Sequence, residues 1–381
     1  MLEEEFLKFG FTKEEYNKIR NSHAIKPYSD ETLLKQFLTI VDCLLSLGYV
    51  KIEIIKMVSM RPEIISLDMN NINNKIAYMR SIGYSDKEIK KMIKDTPQIL
   101  CINIANMQNK REYLKSLGYT EKEVIKMTKS ASAIYSHSNE NIETKLNDMV
   151  KLGYVEDGAR EFEKLDTVIK MTKLFPQIFN LGIEYISKKI TDIMALGYDR
   201  NSVIKMTKTF PSLLGLDIEN MKKKTEDLEK LGYKKESIRY MTCFVPSLFS
   251  YSIENIKQTL DEIKKFGYSE EEALFMTETF PSILGFSIES LKEKLSFYNS
   301  IGIHDVILNQ PRYLMQSVAL SYARLKFHES KGGVITESNA IRKLFMGNKN
   351  FIKQYGISKE ELLSMYDYNK AKEESIDGTT Y

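Results

Sequence analysis

The segment GYSDKEIKKMIKDTPQILCINIANMQNKREYLKSLG, residues 83–118, contains one full copy of a repeat that recurs along the chain. The repeat opens with Gly-Tyr, has a methionine nine and a proline fourteen residues after the glycine, and ends at the next glycine, 35 residues on. The repeat glycines are Gly48, Gly83, Gly118, Gly153, Gly197, Gly232 and Gly267, and Gly302 closes the last repeat. Only the fourth spacing differs, because nine residues are inserted within residues 155–166. Seven repeats therefore run to residue 302, and we number positions from each glycine as position 0, without counting the insert.

Each repeat carries the sequence signals of two helices. In the quoted copy, Ser85 and Glu88 form a capping-box pattern after Gly-Tyr, and the first helix must stop before Pro97. A second column of helix-capping residues follows at position 20: Asp68, Asn103, Ser138, Asp217, Ser252 and Ser287. The second helix then runs to the next glycine, which is the expected C-cap residue. This pattern predicts an all-α, curved α-solenoid of about seven 35-residue helical hairpins with N- and C-terminal caps.

The array divides the chain into three predicted segments. Residues 1–45 are interpreted as a degenerate repeat that caps the N-terminus, because Gly10 lies 38 residues before the first repeat glycine. Residues 46–302 contain the seven tandem repeats. Residues 303–381 contain a C-terminal cap repeat and a tail that is expected to fray from Asn369 onward.

The middle of the array departs from the pattern twice. The third repeat has Ser132 where the other repeats have proline, and the fourth repeat contains the insert. The insert carries the acidic residues Glu156, Asp157, Glu161 and Glu163. Two interpretations stay open: the insert is a hinge that adjusts the curvature of the array, or it lengthens an exposed helix start.

The composition excludes several classes of protein. With 43% hydrophobic and 28% charged residues, the chain is typical of folded proteins with a sizeable core. The 3 cysteines and 4 histidines form no metal-ligand or nucleophile pattern, and no phosphate-binding glycine motif occurs. We therefore expect no enzymatic activity, no metal and no cofactor. No apolar run is long enough to span a membrane, and the acidic N-terminus does not resemble a signal or transit peptide, so we expect an intracellular, cytoplasmic monomer.

The repeat columns resemble the motif of the mitochondrial transcription termination factor (mTERF) family, Pro-x-x-Leu-x6-Leu-x6-Leu followed by a closing glycine. The matching residues are Pro97, Leu100, Met107 and Leu114; Pro211, Leu214, Met221 and Leu228; Pro246, Phe249, Ile256 and Ile263; and Pro281, Leu284, Leu291 and Tyr298. The resemblance covers roughly residues 47–332, including a terminal repeat around Arg312. It implies a curved solenoid that binds double-stranded nucleic acid along a basic path, often to regulate transcription or RNA metabolism.

The two-helix repeat is also similar to TAL-effector-like DNA-binding repeats, in which two residues in the loop between the helices read one base. The corresponding pairs are Asp95-Thr96, Leu174-Phe175, Thr209-Phe210 and Thr279-Phe280. A phenylalanine before proline is typical of packing, and the glycine pair of that loop is absent. This resemblance therefore ranks second within the same functional class.

A lysine column at position 27 is the first candidate for phosphate contacts. It comprises Lys75, Lys110, Lys145, Lys189, Lys224 and Lys294, and the sixth repeat has Thr259 instead. Equivalent positions of stacked repeats form a row, so the first five are predicted to line a groove. The preceding position 26 varies and is a candidate for base reading: Asn74, Asn109, Thr144, Lys188, Lys223 and Gln258. Position 23 holds an asparagine column one helical turn before the lysines, Asn71, Asn106, Asn141, Asn220 and Asn255.

The first helices contribute lysines at positions 8 and 11. These pairs are Lys91 and Lys94, Lys126 and Lys129, Lys170 and Lys173, and Lys205 and Lys208, and Arg312 of the terminal repeat joins the predicted phosphate contacts. The next two repeats have Tyr240 with Cys243 and Phe275 with Glu278 at these positions. A nucleic-acid footprint would therefore favour the first six repeats, and the acidic seventh would face solvent, a partner or a cap.

These features predict a non-enzymatic nucleic-acid-binding protein, related to transcription, with duplex DNA favoured and RNA as the other polymer. The net charge of +3 averages a basic array with acidic flanks. About six phosphate contacts would give a slope near −5 for log affinity against log salt. The alternative is a protein-interaction scaffold that uses the same surface but needs no row of like charges.

Overall fold

The computed structural model describes residues 1–155, 158, 160 and 163–374. In this part of the chain, α-helices alternate with short 3₁₀ helices, and no strand occurs. Contacts between residues divide the chain into two compact units, Met1–Thr191 and Asp192–Tyr381, here the N-terminal half and the C-terminal half.

The N-terminal half consists of a helical cap and four repeats. The cap helices are α1 (Leu2–Phe9), α2 (Lys13–Arg20) and α3 (Asp30–Ser46). The first helices of the repeats are α4 (Lys51–Met60), α6 (Asp86–Asp95), α8 (Glu121–Ser130) and α10 (Lys164–Leu174), and the second helices are α5 (Met69–Ser81), α7 (Ile104–Ser116), α9 (Asn139–Lys151) and α11 (Ile183–Met194). The boundary of the half falls within α11.

The C-terminal half contains three repeats, a shortened hairpin and a terminal group of helices. The repeats are α12 (Arg200–Thr209) with α13 (Ile218–Lys230), α14 (Lys235–Phe244) with α15 (Ile253–Lys265), and α16 (Glu270–Thr279) with α17 (Ile288–Ser300). The shortened hairpin is α18 (His304–Asn309) with α19 (Val318–Ser330), followed by α20 (Glu337–Lys343), α21 (Asn348–Tyr355), α22 (Lys359–Met365) and α23 (Tyr368–Glu374). The predicted terminal repeat is therefore present as α18 and α19.

The repeat glycines end the second helices as predicted. Gly83 has φ +105°, a conformation that a side chain would strain, and the other repeat glycines also have positive φ. The amide of Tyr84 donates to the Met79 carbonyl at 3.2 Å, which returns the chain across the last turn of α5. This turn directs the side chain of the position 1 tyrosine toward the next hairpin, where the Tyr84 hydroxyl lies 2.6 Å from the Thr128 hydroxyl.

The capping boxes and position 20 caps that the sequence predicts are present, whereas α4, α10 and α14 begin without a side-chain cap. In α6, the Ser85 hydroxyl accepts from the Glu88 amide while the Glu88 carboxylate accepts from the Ser85 amide at 2.8 Å. Pro97 begins the 3₁₀ helix Pro97–Leu100, and the Asn103 side chain caps α7 by accepting from the Asn106 amide at 2.7 Å. The other position 20 residues named above cap their helices in the same way.

The methionine column is buried, and tyrosines of the position 1 column form hydrogen bonds to the next hairpin. The position 9 methionines are all buried: Met57, Met92, Met127, Met171, Met206, Met241 and Met276. The Tyr233 hydroxyl lies 2.7 Å from the Thr277 hydroxyl of the next repeat. Since Thr277 donates to the Ala273 carbonyl at 2.9 Å, Tyr233 is the donor of this bond. Both columns are therefore structural, and the predicted all-α fold of stacked hairpins is confirmed in each half.

The two irregular repeats differ in what can be described. Ser132 is buried and donates to the Thr96 hydroxyl at 2.7 Å, so the 3₁₀ helix Ser132–Ser136 forms without proline. Glu156, Asp157 and Glu161 of the insert lie outside the described residues, so the hinge interpretation stays a prediction. The last seven residues of the tail also lie outside them.

Candidate nucleic-acid interface

Five of the position 27 lysines lie between successive repeats. Lys75, Lys110, Lys189 and Lys294 are buried, and Lys145 and Lys224 are half-buried. Five of the ammonium groups donate to the following repeat: Lys75 to the Leu100 carbonyl, Lys110 to the Asn139 side chain, Lys145 to the Leu181 carbonyl, Lys224 to the Tyr251 carbonyl and Lys294 to the Gln316 carbonyl. Most of these acceptors lie in the linker before the second helix, where a carbonyl has no partner within the helix.

This placement differs from the predicted exposed row, and the physical reason is visible in α7. Lys110 lies three residues after Met107 and four before Leu114, both fully buried, so it is part of the apolar stripe. Its stem packs with the stripe while its ammonium reaches the next repeat. Burial lowers the pKa of Lys110, as it does for Lys75 and Lys294. Phosphate contact at position 27 stays a prediction, but these lysines already have a structural role.

Three position 11 lysines, all in the N-terminal half, form ion pairs with the preceding repeat. Lys94 lies 3.3 Å from Glu53, Lys129 lies 2.8 Å from Glu88, and Lys173 lies 3.0 Å from Glu123. Each of these glutamates also accepts from a backbone amide at its helix start, so one carboxylate serves a cap and an ion pair. The bond from Lys129 lowers the pKa of Glu88 to about 2. These lysines therefore connect first helices to one another.

The position 8 lysines are exposed cations on the first helices. Lys91, Lys126, Lys170 and Lys205 are all exposed. The sequence prediction omits Lys56, which occupies the same position in α4, and the exposed Lys87 and Lys122 at position 4. Lys56 escapes a search for lysine pairs because position 11 of its repeat is Ser59.

The candidate base-reading residues at position 26 are all exposed: Asn74, Asn109, Thr144, Lys188, Lys223 and Gln258. The asparagines at position 23 are exposed as well. At positions 23 and 26, the helices α5 and α7 therefore present exposed amide side chains. Arg312 is exposed, with its guanidinium 5.6 Å from the centre of the Tyr313 ring.

The described residues contain no group of three or more His, Cys, Asp or Glu side chains that could hold a metal ion. None of the described helices is both long and apolar enough to cross a membrane.

The fold and these surfaces define a helical-repeat protein whose first helices carry exposed lysines. The sequence model of the mTERF family matches residues 4–152, 161–230 and 224–351. The chain therefore belongs to the mTERF family, as its repeat columns predict. No curated protein matches the sequence significantly.

Family membership indicates a nucleic-acid-binding helical-repeat protein. Members of this family are non-enzymatic, and DNA binding and transcription regulation are in line with it.

Proposed function

We propose that this protein binds duplex DNA through the exposed lysines on the first helices of its N-terminal half. The observation that carries the proposal is the set of exposed lysines at positions 4 and 8: Lys56, Lys87, Lys91, Lys122, Lys126 and Lys170. They project from α4, α6, α8 and α10, and α8 packs against both α6 and α10. Lysines at equivalent positions of packed helices form a row of cations.

A row of this kind suits a regular polyanion. Duplex DNA presents phosphates at fixed, short intervals, and each lysine that neutralises a phosphate releases a condensed counterion. The exposed ammonium groups of Lys91 and Lys126 can make such contacts without breaking a hydrogen bond of the fold, whereas those of Lys75 and Lys110 cannot. The affinity for DNA is therefore assigned to the lysines at positions 4 and 8. We further propose that the protein acts as a cytoplasmic monomer in a process related to transcription.

The test compares charge reversal on this row with an equal reversal elsewhere. The variant Lys91→Glu/Lys126→Glu should weaken duplex binding at least about tenfold at low salt, because two phosphate contacts become repulsive. The control Lys13→Glu/Lys151→Glu changes the net charge equally at side chains that are 74% and 76% exposed, outside the row. Fluorescence anisotropy with labelled duplex DNA, single-stranded DNA and duplex RNA at two salt concentrations measures the result.

The proposal also fixes the salt dependence. Six phosphate contacts give a slope of about −5 for log affinity against log salt on duplex DNA. A slope shallower than about −2 contradicts binding along the row. Equal losses in both double variants would also contradict it, and tighter binding of RNA would assign the row to that polymer instead.

Sequence reading at position 26 is a separate part of the proposal. Asparagine pairs with adenine and lysine with guanine in the major groove. If the exposed position 26 side chains read bases one repeat at a time, Asn109→Lys should change the preferred base at a single site in duplexes selected from a random library. An unchanged preference contradicts a modular code while leaving the lysine row untouched.

A further inference from the structure

The first helices of the C-terminal half carry a surface that the lysine row does not explain. Position 8 is Lys205 in α12 but Tyr240 in α14 and Phe275 in α16. Tyr240 is 55% exposed and Phe275 47% exposed, and Phe244, one turn after Tyr240, is 53% exposed. Exposing large aromatic side chains to water is unfavourable. A cluster of such exposed side chains is therefore typical of a binding surface.

Three aromatic side chains on this surface are linked by ring contacts. The rings of Tyr240 and Phe244 lie 6.2 Å apart with an interplanar angle of 20°. Phe244 also contacts the half-buried Phe280 edge to face, with centroids 6.3 Å apart. Since α14 packs on α16, Phe275 occupies the position on the neighbouring helix that Tyr240 occupies on α14. We call Tyr240, Phe244, Phe275 and Phe280 the aromatic patch.

The charge around the aromatic patch is opposite to that of the lysine row. Position 4, which is Lys87 and Lys122 in the N-terminal half, is Glu236 in α14 and Glu271 in α16, both exposed. Position 11, a lysine in four earlier repeats, is Glu278 in α16. Cations are also present: Arg239 pairs with Glu236 at 3.0 Å, and Lys235 lies 3.8 Å from Glu229. Residues 268–302, in the seventh repeat, include two basic and six acidic residues. Two of the acidic residues, Glu271 and Glu278, lie on α16 with Phe275.

We propose that the aromatic patch is a docking surface for a protein partner that presents a basic amphipathic helix. Apolar side chains of such a helix would cover Tyr240, Phe244 and Phe275, and its lysines or arginines would meet Glu271 and Glu278 or lie over the ring faces. A polyanion is disfavoured here, because its phosphates would approach the same carboxylates. The function is distinct from nucleic-acid binding and does not depend on it.

The chain contains no tryptophan, which allows a background-free test. In the full chain carrying Tyr240→Trp, we would titrate a tryptophan-free Leu/Lys amphipathic peptide of about four helical turns. The expected result is a saturable blue shift of the Trp emission as the indole leaves water. Adding Phe244→Ser/Phe275→Ser should weaken binding at least about 30-fold, as for removal of interface anchors. Adding Glu271→Lys/Glu278→Lys should weaken it and reverse the preference between this peptide and a Leu/Glu version.

Two controls keep the result interpretable. A scrambled peptide of the same composition tests whether the amphipathic face is required for binding. Far-ultraviolet circular dichroism and the thermal unfolding midpoint test whether the substituted chains remain folded. No saturable shift, equal binding of the scrambled or Leu/Glu peptide, or a shift produced only by single-stranded DNA or RNA would overturn the proposal. So would self-association of the unmodified chain that Phe244→Ser/Phe275→Ser abolishes, because the occupant would then be a second copy.

Discussion

Two sets of lysines recur with the same period and have opposite environments. At position 27, Lys75 and Lys110 are buried between hairpins and donate to the following repeat. At position 8, Lys91 and Lys126 are exposed on the outer face of the first helices. Regular recurrence therefore shows that a residue fits the repeat, but not whether it serves the scaffold or the ligand. Its place on the helix relative to the apolar stripe separates the two.

The largest effect is expected from removing a position 27 ammonium. Lys75→Met keeps the apolar stem but leaves the buried Leu100 carbonyl without its donor, so it should cost about 2 kcal/mol in the free energy of unfolding. Lys91→Met should change that free energy by less than about 0.5 kcal/mol, because the side chain is exposed. Urea denaturation followed by circular dichroism measures both.

Duplex DNA binding should show the reverse order for the same two variants. Below its unfolding transition, Lys75→Met should bind as the unmodified chain does, whereas Lys91→Met should bind more weakly and with a shallower salt slope by about 1. If the folded Lys75→Met variant loses duplex DNA binding, position 27 contacts DNA, and the contrast between positions 8 and 27 is wrong.

The hairpins, caps and core methionines were predictable because they depend on local chemistry that repeats: a capping side chain, a proline, a glycine. The outward direction of Lys91 was predictable too, since it lies two residues from both Ile89 and Ile93, which places it across the helix from that buried pair. The burial of Lys110 could have been predicted from its spacing to Met107 and Leu114. Its acceptor, Asn139, could not, because Asn139 belongs to the next repeat and their contact depends on how the hairpins stack. The pairing of Lys129 with Glu88 likewise depends on stacking, because both are ordinary surface residues on separate helices.

A smaller effect is expected from the tyrosine column at position 1. Tyr233→Phe removes the hydroxyl that donates to Thr277 in the buried contact between repeats, so it should cost about 1 kcal/mol in the free energy of unfolding. Tyr240→Phe, at an exposed position, should leave that free energy unchanged within about 0.5 kcal/mol. Urea midpoints of the two variants give the comparison, and unchanged nucleic-acid affinity in Tyr233→Phe would agree with a purely structural tyrosine.

The smallest effect concerns position 11 and appears as a pH dependence. The ion pair with Lys129 and the cap bond hold the pKa of Glu88 at about 2, below the value of 4.5 for an unperturbed glutamate. The folded state therefore binds this proton less tightly than the unfolded state does, so the stabilisation is present above pH 4.5 and is lost as the pH falls toward 2. Because the pair is partly exposed, Lys129→Met should cost only about 0.5 kcal/mol at neutral pH and should flatten the acid limb of the stability curve. Lys126→Met, one turn away at position 8, should leave that limb unchanged, and an equal flattening in both variants would show that position 11 is no more tied to the scaffold than position 8.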